Sequence, residues 1–270
     1  MTTRLLQISD PHFGTEQPPV VEALVRLSHR LRPDVVVLSG DITQRARRDE
    51  FDAARRFVDR LHAPRLLAIP GNHDVPLFNL AERLLRPYAG FQRVFGDELE
   101  PTFSSPELLL LCVKTTRRWR HINGEVSAAQ IERMCRHLAE ATPQQLRVVV
   151  VHQPVCVKAD GADEKDRLRG ADQAVRRWAE AGADLVLGGH IHLPYVCEVA
   201  LLPGPPVHRL WTAQAGTAVS SRVRGRVPNS VNLIRYEPGG EPACHVERWD
   251  FDRALGEFTP AAETALVIAR

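Results

Sequence analysis

Short apolar runs alternate with amphipathic stretches along the first two-thirds of the chain. Residues 5–8, 35–38, 66–69, 148–151 and 185–187 are strand-like runs rich in Leu, Val and Ile, as expected of strands buried on both faces. Between the first three, apolar residues recur every three or four positions. Phe51, Ala54, Phe57, Val58 and Leu61 form one apolar face of a helix over residues 49–61, and another helix is expected near residues 20–31. Pro33 and Pro64 punctuate the helix ends. With strands at 4–9, 34–39 and 65–69, the chain opens as a βαβαβ unit.

Further along, the pattern predicts a helix near 78–85, an irregular stretch to Pro106 and a strand at 108–113. A basic loop follows, Arg117-Arg118-Trp119-Arg120-His121. Ser127, with Gln130 three residues on, reads as a capping box for a helix ending near Ala141. Next come a strand at 147–151, a helix at 172–180 and a strand at 184–187. The runs 195–201, 207–213, 231–236 and 243–249, separated by Gly and Pro turns, read as consecutive strands. The expected class is α/β (α+β): a mixed two-sheet core flanked by helices, with residues 1–270 forming one catalytic domain.

The polar residues that end these runs carry the chemistry. Five strand-like runs lead into Asp10-Pro11-His12, Gly40-Asp41, Gly71-Asn72-His73-Asp74, His152 and Gly189-His190-Ile191-His192. Ligands of open α/β sheets bind in the crevice outside the carboxyl ends of the strands, so these tips are expected to converge. Asp10 and His12 are two apart and would share a face of a continuing strand; His190 and His192 repeat that spacing. A carboxylate can bridge two cations, which suits Asp41. Oxygen and imidazole donors without sulfur suit Mn, Fe, Zn or Co. Two such ions lower the pKa of a bound water and stabilise the attacking and leaving oxygens of a phosphoryl transfer. Taken singly, each segment has a bland reading as a turn or a satisfied strand-end histidine. Five in order, each after an apolar run, argue for a two-metal site.

The same residues carry a family resemblance. The pattern D-x-H, G-D, G-N-H, a later H and G-H-x-H, complete from Asp10 to His192, resembles the calcineurin-like metallophosphoesterase superfamily. The opening Leu-Leu-Gln-Ile-Ser-Asp-Pro-His and the Gly-Asn-His-Asp segment look most like bacterial class III cyclic nucleotide phosphodiesterases. The resemblance implies a four-layer αββα sandwich, the metallo-dependent phosphatase fold, holding two divalent or mixed-valence metal ions. It implies that Asp10, His12, Asp41 and His192 bind the first metal and that Asp41, Asn72, His152 and His190 bind the second. His73 is then the catalytic residue, stabilising charge over the scissile phosphate and protonating the leaving alkoxide, with Asp74 either orienting it or capping its loop. Gln44 stands where protein phosphatases carry an acidic residue, which weighs against phosphoprotein substrates.

Arginines flank the expected crevice: Arg45, Arg47 and Arg48; Arg117, Arg118 and Arg120; Arg222, Arg224 and Arg226. Arginine forks suit phosphate oxygens. Arg118, Trp119 and His121 are the candidate substrate contacts, because aromatic faces stack on bases. The Gly216-Thr217 turn and Ser220-Ser221-Arg222 are candidates to close the site from the C-terminal side.

Composition narrows the remainder. A hydrophobic fraction of 44%, 25% charged residues and a formal charge of +2 are ordinary for a globular protein and do not argue for nucleic acid. Five scattered cysteines, never in C-x-x-C spacing, fit free thiols in a reducing compartment. With no leader pattern and no run of roughly 20 apolar residues, a cytoplasmic enzyme without a membrane span is expected. The expected reaction is attack of a metal-held hydroxide on a small phosphodiester, a cyclic nucleotide such as cAMP first. A nuclease or a pyrophosphatase of a UDP-linked lipid precursor is the alternative, and a non-catalytic metal-binding scaffold fits least, because no ligand is missing. A lipid substrate would call for an apolar cap, and no long amphipathic insertion is evident to make one. A homodimer is compatible with the sequence.

Overall fold

In a computed structural model of the chain, residues 2–157, 164–199, 208–240 and 243–268 are described. Two six-stranded sheets stack face to face. The first has the order β12-β11-β10-β1-β2-β3, built from β1 (Thr3–Ile8), β2 (Val35–Ser39), β3 (Leu66–Ile69), β10 (Ser230–Tyr236), β11 (Cys244–Asp252) and β12 (Glu257–Leu266). The second has the order β4-β5-β6-β7-β9-β8, built from β4 (Thr102–Ser104), β5 (Leu108–Cys112), β6 (Leu146–Val150), β7 (Leu185–Gly188), β8 (Tyr195–Glu198) and β9 (Trp211–Gln214). In the first sheet β1, β2 and β3 run parallel at one edge and β10, β11 and β12 are antiparallel to their neighbours; in the second β5, β6, β7 and β9 run parallel, with β4 and β8 antiparallel at the edges.

Three buried clusters show the four layers. Leu6, Ile8, Val36 and Leu38 face α1 (Pro18–Leu31) and α2 (Arg48–Val58). Their strand neighbours Leu5, Val35 and Val37 point the other way, against Leu110, Val148, Val150 and Leu187 of the second sheet. The outer face of that sheet, with Leu111, Val149 and Val186, packs on α5 (Ala128–Ala139) and α6 (Ala171–Glu180). Strands that bury both faces must be apolar at every position, which is why the runs do not alternate. The expected αββα sandwich of two mixed sheets flanked by helices is therefore observed.

Local signals set the ends of the helices. Pro18 opens α1 and Arg32, in a left-handed conformation, closes it by donating its backbone N–H to Ser28. The Ser127–Gln130 capping box forms as expected, with Gln130 N–H on Ser127 Oγ at 3.3 Å and Ser127 N–H on Gln130 Oε1 at 3.0 Å. The stretch expected to be irregular before Pro106 instead contains α4 (Ala89–Phe95) and strand β4, and β12 also escaped the sequence pattern. Strand β12 (EFTPAAETAL) is mostly exposed, with only Phe258 and Leu266 buried, so it is held chiefly by its ladder to β11. Of the expected strands 195–201 and 207–213, residues 200, 201 and 207 lie outside the described residues. Among the described residues no helix is long and apolar enough to cross a membrane.

One polar tie interrupts the apolar seam between the sheets. Gln7 of β1 donates its amide to Gly188 O of β7 at 2.9 Å and to Ser39 Oγ at 3.1 Å. Asn232 donates to Gln7 Oε1 at 3.0 Å and to Gln214 O at 3.2 Å. This links β1, β2 and β10 to β7 and β9 just before the loops that carry the candidate ligands. Gln7→Leu leaves these buried groups unpaired, and urea unfolding is expected to show a loss of about 1–3 kcal/mol; a neutral or stabilising result would show that the tie adds nothing beyond packing.

Candidate metal centre

Asp10, Asp41 and Asn72 lie just past β1, β2 and β3; His152, His190 and His192 lie just past β6 and β7. The carboxyl ends of both sheets thus meet at one place, and all five segments meet there. The spacing argument for a continuing strand does not hold. Among the described non-glycine residues with positive φ are Asp10 (51°), His12 (43°), Asp41 (47°), His190 (71°) and His192 (57°). A left-handed residue ends the strand and turns its side chain across the sheet edge, at a cost of about 1–3 kcal/mol each. Asp10 and His12 nevertheless stay together, as their spacing led one to expect, whereas His190 and His192 separate. His192 joins Asp10 and His12, whereas His190 joins Asp41 and His152.

Glycines make room for this crowding. Gly40 has φ +97°, and a Cβ there would sit 2.4 Å from His152 Nδ1. A Cβ on Gly189 would sit 1.9 Å from Ser9 Oγ and 2.4 Å from Asp10 Oδ2.

The donor atoms face one another at short range. His12 Nε2 and His192 Nε2 are 3.0 Å apart, and His192 Nε2 is 3.4 Å from Asp10 Oδ1. Asp41 looks both ways, with Oδ2 3.7 Å from His12 Nε2 and Oδ1 3.3 Å from His152 Nε2. Asn72 Oδ1 is 3.3 Å from His152 Nε2. Backbone carbonyls fix the tautomers: His152 Nδ1–H donates to Ser39 O at 2.8 Å, and His192 Nδ1–H donates to Arg222 O at 2.7 Å. The Nε2 lone pairs are thereby left for a cation, as in metal sites whose ligands are oriented from outside. His12 Nδ1 and His190 Nδ1 are buried without a hydrogen-bond partner. These residues fit a pair of divalent cations.

The charges support that fit. Burial pushes the Asp10 carboxyl up, but the imidazoles around it, His192 foremost, outweigh this and hold it at about 2. Burial acts likewise on Asp41, and His152 and His73 hold it well below the usual carboxylate range. Burial depresses His12 to about 3 and His190 to about 4, so both are neutral lone-pair donors. For His152 the lowering by burial is overcome by the Asp41 and Asp10 carboxylates, which raise it to about 9. To hold a divalent cation, His152 would give up that proton.

His73 stands at the mouth. Its ring lies 4.8 Å from that of His12, edge to face, and its Nε2 is 3.4 Å from Arg222 Nη1. Its donor atom also falls within reach of His12 and Asp41, so the fold brings it to the cluster without itself separating ligand from catalyst. Nδ1–H of His73 donates to the Gln44 carbonyl at 2.8 Å. Asp74 does not orient this ring. Its buried carboxylate accepts from the backbone N–H groups of Ile42 (3.0 Å), Thr43 (2.7 Å) and Gly71 (2.8 Å), fastening the Asn72 loop to the Asp41 loop. Burial, and then the nearby Asp41 charge, raise it to about 6.

The cleft over the donors has a volume of about 270 Å³ and is also lined by Ile122, Asp166, Arg222 and Arg224. Ser220-Ser221-Arg222 does close this side: Thr217 Oγ1 donates to Asp10 O at 2.6 Å, and Arg222 Nη1 donates to Gln44 Oε1 at 2.8 Å. Of the other candidates, Arg118 donates to Leu84 O at 2.7 Å, and Trp119 is 65% exposed; neither lines the cleft, nor does Arg226. His121 lies close enough for the charges of His73 and Asp41 to act on it; its lowered pKa comes first from burial, then from Arg83 and His73. Ser39, Ile122 and Asp166 carry no motif signal, because only their position in the folded chain brings them here.

A four-layer sandwich with paired Asp and His donors at the meeting of its sheets defines a dinuclear phosphoesterase centre. The profile described as Calcineurin-like phosphoesterase matches residues 3–194, and the chain belongs to that family. It is a metal-dependent phosphoesterase. It is similar to a probable cyclic nucleotide phosphodiesterase of Synechococcus sp., with 27% identity over 73% of this chain and 76% of that one. It is also similar to a cAMP/cGMP dual specificity phosphodiesterase of Mycobacterium tuberculosis, with 26% identity over 87% of this chain and 76% of that one. A dimetal phosphatase from Danio rerio has the same fold, with a TM-score of 0.67, 15% identity and 99% of each chain covered. Asp74→Asn cannot accept the same three backbone donors, and metal titration is expected to show affinity reduced by roughly 10–100-fold; unchanged affinity would mean that the loop tie does not position the donors.

Proposed function

We propose that the chain, as one catalytic domain, hydrolyses small phosphodiesters, with cyclic nucleotides as the leading substrate class. In this reading Asp10, His12, Asp41 and His192 hold one divalent cation and Asp41, Asn72, His152 and His190 hold the other. Mn, Fe, Zn and Co suit the donor set. When bound, the two cations acidify a water and shield the charge on phosphate. Five cysteines and no disulfide among the described residues support a reducing, cytoplasmic location.

The observation that carries this reading is the Gln44–Arg222–His73 arrangement over the donors. Gln44 holds the Arg222 guanidinium with a neutral oxygen, so its charge stays available for the non-bridging oxygens of a phosphodiester; a carboxylate at that place would neutralise it. His73 keeps Nδ1–H on the Gln44 carbonyl, which turns Nε2 toward the mouth, where a general acid for the leaving alkoxide is needed. The cleft falls just below the roughly 300–1,000 Å³ of drug-sized sites, which supports a small substrate. Within the 117–121 loop, His121 is assigned to the substrate ahead of Arg118, which is engaged with Leu84 O, because the charges of His73 and Asp41 act on it. The two cyclic nucleotide phosphodiesterases similar to this chain support the substrate class.

A hydrolysis panel with added Mn, Fe, Zn or Co tests the proposal. Bis-p-nitrophenyl phosphate and cyclic nucleotides are expected to be turned over faster than mono-p-nitrophenyl phosphate; a preference for the monoester would overturn the diesterase reading. Unchanged turnover in Asp41→Asn would sink the two-metal assignment. His73→Ala is expected to retain both metals while turnover falls by roughly 10²–10⁴, and loss of metal instead would make His73 a ligand.

A further inference from the structure

Beside the cleft, one short helix is amphipathic in reverse. Helix α3 (Leu80–Leu85) buries its arginine and exposes its leucines. Arg83, only 8% exposed, donates to Pro76 O at 2.9 Å and to Arg120 O at 2.6 Å. Phe78 just before the helix is 79% exposed, and Leu80, Leu84 and Leu85 are 66%, 55% and 81% exposed. The Arg83 and Arg118 bonds fasten this segment to the 117–122 loop, which adds exposed Trp119 and Ile122. Ile122 also lines the cleft, so the apolar ridge reaches the lip of the metal centre. Single exposed apolar residues need no explanation, but a patch fastened beside a cleft marks an interaction site. The apolar cap that the sequence did not reveal is thus assembled from two short segments.

A second feature adjoins it. A cavity of about 620 Å³ lies against Phe78, with Arg45, Arg47, Arg48 and Arg93 around it. Arg45 stacks over the Phe78 ring at 5.5 Å. Arg93 is paired with Asp52 at 2.7 Å, but Arg45, Arg47 and Arg48 form no ion pair with a described carboxylate. Asp49 and Glu82 also border the cavity, and Glu82 is turned to Asn79.

We propose that this face docks on an anionic lipid bilayer, with the ridge in the interfacial layer and headgroup phosphates at the arginines. Protruding apolar side chains beside basic ones are what an interfacial element presents. Trp119 at the edge suits the headgroup level. A folded acidic partner would need a groove matched to each protruding side chain, whereas fluid lipid needs none. The docking stands apart from the substrate reading, since vesicle binding requires no turnover.

Co-sedimentation of the full chain with vesicles tests it. Phosphatidylcholine vesicles containing phosphatidylglycerol are expected to pellet the protein, less so as salt rises, and pure phosphatidylcholine vesicles much less. The triple variant Leu80→Ser, Leu84→Ser, Leu85→Ser is expected to bind more than about tenfold more weakly. Arg47→Ala with Arg48→Ala is expected to lose roughly fivefold per charge. Both variants should keep the Tm and the bis-p-nitrophenyl phosphate turnover of the parent, because the changed side chains are exposed and stand outside the donor cluster. Failure to pellet with phosphatidylglycerol vesicles, or pelleting that neither variant weakens, would overturn the proposal. So would a dimer in light scattering that the leucine variant splits, since the ridge would then belong to a second copy.

Discussion

Two carboxylates, Asp10 and Asp41, are buried among imidazoles where the two sheets meet. Burying charge is costly unless the charge is paired, and the rest of the site follows from that constraint. Buried histidines crowd around the carboxylates, and backbone carbonyls at Ser39 and Arg222 take the outward N–H groups so that lone pairs face inward. Left-handed turns aim the side chains, and Gly40 and Gly189 leave space for them. The arrangement is strained and only partly compensated by protons, which is the condition under which divalent cations bind to a folded site and stabilise it.

The seam between the sheets matters for the same reason. Each sheet supplies only part of the donor set, so a small slide of one sheet on the other would separate Asp10 from His192 and Asp41 from His152. Apolar contacts between strands are poor at resisting a slide, because they are not directional. The Gln7–Asn232 amide tie is directional, and it sits one residue layer below the donors. Asp74 does a similar job between loops of the first sheet, clamping the Asn72 loop to the Asp41 loop. Polar groups buried in this way specify a geometry more than they add stability.

Above the donors the molecule divides into two surfaces. Arg222, His73 and Arg224 line the cleft, and Arg222 is held by the neutral Gln44 rather than by a carboxylate. Next to them, the 76–85 and 117–122 segments are pinned together by Arg83 and Arg118 through backbone carbonyls. With Arg83 turned inward, the exposed side of α3 is left to Leu80, Leu84 and Leu85. The cleft and the apolar ridge meet at Ile122.

The sequence by itself determined the layered class, the order of ligand-tipped strands and the donor types, because these are local properties. A strand buried on both faces must be apolar throughout, and the residue after it must be polar to work at its exit. Local pattern did not reveal α4, β4 or β12, because short or exposed elements are held by neighbours rather than by their own apolar face. Only the tertiary structure decided how the donors group. At the same spacing and with the same left-handed backbone, Asp10 and His12 share one cluster while His190 and His192 face different partners, so what packs around each pair decides the outcome. The same holds for Asp74, whose three backbone donors come from Ile42, Thr43 and Gly71, and for the reversed face of α3. Such contacts join residues distant along the chain, and spacing within a segment carries no record of what will pack against it.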